Sequence, residues 1–200
     1  FEIFCNDKKL ISNSGYYPDT KNRLNKLSKS TALQNTLSIE DYSSSDFIKS
    51  SNNFLIQKDL KIENKNIVFE KNYWKISASH NGYFKKFKLD HHREIEFYPE
   101  QFKFIGHDKI VRKDPDKQIK FDIRFHLHPD SKVMKTQNSK FILIQLEDEG
   151  WQFSCDNYDI NIDNGLYFGN KNSYQENQNI FISGMNNESE QIIRWEIIKI

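Results

Sequence analysis

Cysteine, proline and glycine are scarce in this chain, and each scarcity excludes something. Two cysteines in 200 residues cannot build the dense disulfide framework of a small secreted scaffold. Four prolines and seven glycines rule out collagen-like and Pro/Gly-rich low-complexity sequence. No window of 18 or more apolar residues occurs, so no membrane-spanning helix is expected. Charge of one sign is missing too: 29 basic against 28 acidic residues leave a net charge of +1, so no global field favours nucleic acid or an anionic membrane. No 20–50-residue period recurs, which excludes solenoids and propellers.

Aromatic residues are what the chain has in quantity. Sixteen phenylalanines, nine tyrosines and three tryptophans make 14% of the sequence. Disordered chains are poor in aromatics, so this one folds despite a mean hydropathy of −0.80. The heavy use of Lys, Asn and Ile reads as nucleotide bias of an AT-rich source. A start at Phe1, inside a strand-like "FEIFC", suggests a fragment or processed chain.

Period-two alternation dominates. In "FDIRFHLHP", Phe121, Ile123, Phe125 and Leu127 point one way, and Asp122, Arg124, His126 and His128 the other. "LKIENKNIVFEK", "YWKISASH", "HHREIEFYP", "FKFIGHDKIVRK", "FILIQLE", "WQFSCD", "YDINIDNG", "NIFISG" and "QIIRWEIIKI" read as further strands. "DPDK", "HPDSK", "DNG", "EDEG" and "MNNESE" read as turns. Pro99 in "YPEQ" suits the second position of a tight hairpin turn. "TKNRLNKLS" is basic and irregular, "SIEDYSSSDFIKSSNNF" reads as a long loop, and Asn81-Gly82 reads as a hairpin turn. About a dozen strands and few or no helices predict an all-β fold, a large antiparallel β-sandwich filling residues 1–200. Cys5 shares a strand face with Phe1 and Ile3, and Cys155 with Trp151 and Phe153. Buried free thiols and a disulfide between them both fit.

The histidines carry what chemistry the residues alone suggest. His126 and His128 project side by side and can chelate one ion, or pair with carboxylates on a polar face. In "DHHREIEF", His91 groups with Arg93, Ile95 and Phe97. His92 groups with Glu94 and Glu96 on an acidic face that can hold a cation or simply be solvated.

Taken in order, several stretches resemble the C-terminal β-sandwich of the heparinase II/III-like polysaccharide lyases. "LISNSGYY" is similar to that family's strand leading into an Asp/Asn-x-Gly-x-Tyr loop. "RLNKLSKSTALQNTLSIE" resembles its Arg-rich loop and Ser-Thr-Ala-x-His-Asn-Thr strand start. "ASHNGYFKKFKLDHHREIEF" resembles its Gly-Tyr…His-x-Arg segment, "FIGHDKI" a strand ending in Asp (here Asp108), and "FDIRFHLHP" its Phe-His-Leu-x-Pro strand.

The resemblance implies a sandwich of the lyase supersandwich type, packed in the whole protein against an N-terminal α/α toroid absent from this chain. Acidic, uronic-acid polysaccharides such as glycosaminoglycans would bind in the cleft between them and be cut by β-elimination, most of the catalytic set coming from the toroid. The 200-residue chain alone is then expected to be inactive. The resemblance puts Gln34 at the family's catalytic His and implies substrate contacts from Arg23, Asn35 and Tyr83. It also implies a zinc ion in some members, with His91, His92 and His126 as the ligands suggested here, and a periplasmic or secreted setting. Gln34 is the departure: an amide donates a hydrogen bond but carries no proton at neutral pH. It opens the alternative of a glycan-binding or structural sandwich that has lost catalysis.

Overall fold

A computed structural model describes residues 1–50, 53–56, 60–137, 139–169 and 173–200. Among them are sixteen strands and two short helices. In chain order these are β1 (Ile3–Cys5), β2 (Lys8–Ile11), α1 (Arg23–Ser28), β3 (Leu37–Ile39), β4 (Phe47–Ser50), β5 (Asn53–Ile56), β6 (Ile62–Glu70), β7 (Tyr73–His80), α2 (Phe84–Phe87), β8 (Leu89–Tyr98) and β9 (Lys103–Arg112). There follow β10 (Ile119–His126), β11 (Lys132–Lys135), β12 (Phe141–Leu146), β13 (Glu149–Cys155), β14 (Ile160–Tyr167), β15 (Gln175–Asn186) and β16 (Glu190–Lys199). No helix among the described residues is long and apolar enough to cross a membrane.

Two antiparallel sheets stack as a sandwich. One has four strands in the order β14-β15-β10-β3, the other eight in the order β11-β12-β13-β16-β9-β8-β7-β6. The expected alternation of β10 is realised: Phe121, Ile123, Phe125 and Leu127 are wholly buried. They meet the aromatic side chains of the larger sheet, with Phe125 ring centroids 4.8 Å from both Phe153 and Trp195. Trp195 lies flat across Gly106, whose missing Cβ would come within 1.9 Å of the indole; the core needs a glycine at that rung.

The larger sheet outreaches the smaller one. Its far end, β6 to β8, carries its inner-face residues Ile67, Phe69, Trp74 and Ile76 uncovered, with Ile67 and Phe69 73% and 75% exposed. That overhang and the segment between α1 and β3 frame the groove described below.

Several local expectations change. "RLNKLS" is helix α1, capped by Asn22 Oδ1, which accepts from Leu24 N–H at 3.0 Å. "SIEDYSSSDFIKSSNNF" holds β4 and the start of its hairpin partner β5 rather than one long loop; Ser51 and Asn52 within it lie outside the described residues. Asn81-Gly82 is not a two-residue hairpin, because residues 81–88 include α2 and a left-handed Lys88. The "DNG" of residues 163–165 sits inside β14, where β15 supplies a ladder partner for every residue of the strand. Pro99 does turn β8 into β9, as a short 3-10 turn. Cys5 and Cys155 are both free and half-buried, and burial pushes the Cys155 thiol up to about 12.

Candidate functional site

The groove has a volume of about 350 Å³ and is lined by Gln34, Asn13, His80, Arg93, Ile76 and Ile95 among others. Its rim is the segment that joins α1 to β3. After α1 the chain makes a 3-10 turn over Thr31–Leu33, then extends through Gln34. Buried Asn25 ties α1 back to the loop before it, donating to the Tyr17 carbonyl at 2.7 Å and to the Tyr16 hydroxyl at 3.0 Å. These bonds hold the basic segment in one conformation without a large apolar core beneath it.

Asn35 fixes the next residue of that rim. Its Oδ1 accepts from His126 N–H at 2.6 Å, and its Nδ2 donates to the Phe1 carbonyl at 2.9 Å. Its own N–H donates to Asn13 Oδ1 at 3.1 Å, and its carbonyl accepts from Arg93 Nη1. The side chain is 2% exposed. One asparagine thus pins the rim to β10, to β8 and to the segments flanking β1 and β2, and Gln34 is held beside it, half-buried, its amide 3.4 Å from the Ser28 carbonyl.

The floor is an ion network on Asp108. This carboxylate is completely buried. It accepts from Arg93 Nε at 2.7 Å and Nη2 at 2.9 Å, from Trp195 Nε1 at 2.8 Å, and from His91 Nε2 at 2.6 Å. Burial alone would raise its pKa, but the Arg93 charge and the bonds from His91 and Arg93 overcome that and hold the carboxyl well below the usual range.

The bonding fixes the imidazole tautomers. Gly82 N–H donates to His80 Nδ1 at 3.2 Å, so the His80 proton is on Nε2, which donates to His91 Nδ1 at 3.1 Å. His91 then carries its proton on Nε2, toward Asp108. Desolvation, reinforced by His91 and Arg93, lowers His80 to about 3; desolvation also lowers His91 against the pull of Asp108. Both rings are neutral at physiological pH, and all four ring nitrogens are engaged. The groove can offer amide hydrogen bonds to an anion, and among the described residues neither His80 nor His91 keeps a free ring nitrogen to accept a proton.

The residues singled out by sequence distribute unevenly over this site. Gln34 and Asn35 line the groove, and His91 sits in its floor. Arg23 is the first residue of α1 and exposed to solvent. Tyr83 is buried, its hydroxyl donating to the Leu37 carbonyl at 2.7 Å, with its pKa raised by desolvation. His92 lies on the opposite face of β8 from His91, in a different hollow. His126 donates from Nε2 to the Ala32 carbonyl at 3.0 Å and is lowered by burial to about 4. His128 faces Asp130 instead of joining His126. The three histidines suggested for zinc therefore do not form one ligand set as they stand. Two groove residues escaped the sequence reading. Asn13 gives no signal beyond its place in "LISNSGYY". His80, next to the Asn81-Gly82 pair, takes no role from the sequence alone, because only the folded-back 81–88 connection brings Gly82 N–H onto its ring.

Known proteins share this architecture. The structure superposes on the heparan sulfate lyase HepC of Pedobacter heparinus with a TM-score of 0.79 at 14% identity, over 99% of this chain and 29% of that one. Heparinase III gives a TM-score of 0.70 at 15% identity, over 100% and 28%. In sequence, the chain is 26% identical over 214 residues to FtsZ-localized protein C of Caulobacter vibrioides, spanning all of this chain and 36% of that protein. The chain thus spans about a third or less of the relatives it matches. At these identities the structural likeness establishes the fold. The family model "Heparinase II/III-like, C-terminal" matches residues 1–196, and the chain belongs to that family.

Proposed function

We propose that this chain is the sandwich wall of a glycan cleft in a longer heparinase II/III-like protein. In this reading the groove at Gln34 receives the acidic group of a uronic-acid-containing polysaccharide that the full-length protein cleaves by β-elimination. The observation that carries it is the position of Gln34: a half-buried amide on a rigid rim, lining the groove over a floor whose charges are already neutralised. A carboxylate entering there meets hydrogen-bond donors and no repelling anion, since Asp108 is buried beneath Arg93.

β-Elimination needs the substrate carboxylate stabilised, the adjacent proton removed and the glycosidic oxygen protonated. Gln34 can serve the first need by donating a hydrogen bond. His80 and His91 serve neither of the others while their nitrogens remain bonded as described. The acid and base would come from an accompanying toroid, so the 200 residues alone would not turn over. A periplasmic or secreted setting suits such a substrate.

The same glutamine supports a second reading, a sandwich that binds acidic glycan without cleaving it. The two part on one measurement: the ultraviolet absorbance of unsaturated uronate, followed with full-length protein on a panel of polyuronates. Product formation by the natural protein supports the lyase. Silence across the panel, with activity appearing in Gln34→His, supports the binding module.

A further inference from the structure

The outer face of β8, turned away from the groove, carries a second constellation. Glu94 and Glu96 lie two apart on β8 and so share that face. His107 of β9 stands directly opposite Glu94 in the ladder. Ligand atoms of the three residues lie within 4.8 Å of one another, and all three side chains are half-buried. Beside them is a hollow of about 430 Å³ whose lining includes Ser77, His92, Glu94, His107 and Lys109. We propose that Glu94, Glu96 and His107 hold a divalent transition-metal ion of the zinc class.

Several observations support this site. His107 Nδ1 is shielded from solvent and has no hydrogen-bond partner among the described residues, a costly state for an imidazole nitrogen that a bound ion, or rotation of the ring onto one, relieves. The cations around the cluster are largely committed elsewhere. Arg194, which neighbours His107 in the ladder, pairs with Asp156 at 3.0 Å and Glu196 at 3.1 Å, and Lys109 pairs with Glu190 at 2.7 Å. Lys75 does touch the cluster, but only at Glu94 Oε2, 3.2 Å away, and the Tyr98 hydroxyl donates only to Glu96 Oε2. Each carboxylate keeps its other oxygen. Two carboxylates and one imidazole form a donor set that suits zinc and its neighbours, with remaining positions open to water. Ligands about 2.0–2.2 Å from such an ion lie within about 4 Å of each other, so small rotamer changes of the two glutamates close the set. The ladder also explains the choice of histidine. His92 shares the outer face with Glu94 and Glu96, but it is Lys109 that it opposes, and His107 that sits across from Glu94.

This site is on the far side of the sheet from Gln34, so its test is independent of the glycan reading. Untagged full-length protein is dialysed against Zn²⁺, and bound metal is measured by elemental analysis and titration calorimetry. The natural protein is expected to retain an equivalent that His107→Ala and the Glu94→Gln/Glu96→Gln pair each lose or bind more than about a hundredfold more weakly, beyond the roughly 10–100-fold that removal of a mere outer-shell partner costs. His92→Ala is expected to keep it. Co²⁺ in place of Zn²⁺ should give a visible absorption band that disappears with His107→Ala. The glutamine pair preserves side-chain shape and answers the question if the alanine variant fails to fold. No retained zinc in the natural protein, unchanged zinc content and affinity in both variants, or loss of the ion with His92→Ala alone overturns the assignment.

Discussion

The two faces of β8 come from one ten-residue strand and could hardly be more different. On the inner face His91 and Arg93 are bonded to a single buried carboxylate, which also anchors Trp195. On the outer face Glu94 and Glu96 are half-buried, each held through one oxygen, beside a histidine nitrogen with no partner among the described residues. The inner face shows what complete satisfaction does to titratable groups: it makes them structural, with protons fixed in place and pKa values driven away from neutrality. Reactivity toward a ligand requires a donor or acceptor left over, and on the inner side the rim amide of Gln34 can supply one. The side of the strand bonded to Asp108 is therefore scaffold, and the proposed ion site lies on the side that reads as solvated surface.

The contrast breaks most sharply at Asp108. Asp108→Ala leaves Arg93 buried without its counter-ion and strands His91 and Trp195 Nε1, and removing one partner of a buried ionic network costs about 3–5 kcal/mol. Chemical denaturation should show a loss of that size in the unfolding free energy. A loss below about 1 kcal/mol would mean that water reaches the network and that the inner face is no more closed than the outer.

Acid is the next lever. His80 and His126 have folded pKa values lowered to about 3 and about 4, against about 6.5 in the unfolded chain. Between those values the unfolded state binds the proton and the native state does not. The stability they contribute is complete above about pH 6.5 and declines as pH falls toward the folded values, by up to about 1.4 kcal/mol per pH unit for each histidine. His91, lowered in the same direction, adds to the slope. Urea midpoints measured from pH 7.5 down to 4.5 should fall steadily, and His126→Gln should flatten the curve; constant midpoints would refute the closed description of these rings.

How much of this was legible in the sequence follows from the range of the forces involved. The alternation of β10 is a local pattern, and it gave both the strand and the core face correctly. The all-β class followed from many such patterns. The helix α1 was not legible, because its six residues carry no apolar stripe and depend on the Asn22 cap and on buried Asn25. Residues 163–165 were misread as a turn because their strand character comes from β15, not from themselves. At the site, the motif order located Gln34, yet the spending of Asn35 and Tyr83 on backbone carbonyls and amides depends on partners up to 91 residues away. Pairing His92 with Glu94 and Glu96 was right about the face. It missed His107, since the register between β8 and β9 is a property of the ladder and not of either strand.

The smallest effect should come from the outer face, and it sharpens the comparison most. Without added metal, Glu94→Gln removes one partly exposed ion pair with Lys75, whose worth is at most about 1 kcal/mol. Thermal unfolding of that variant should nearly overlay the natural protein, in contrast to the collapse expected for Asp108→Ala. Zinc then separates the two surfaces. An ion that binds only the native state stabilises it by about 2.7 kcal/mol at a hundredfold excess over its dissociation constant. The natural protein should therefore melt higher with zinc, while Glu94→Gln/Glu96→Gln should gain little at the same concentration. Equal stabilisation of both would put the ion elsewhere and return the outer face to ordinary solvated surface. A gain confined to the natural protein would mean that β8 uses one face to hold the fold and the other to hold an ion.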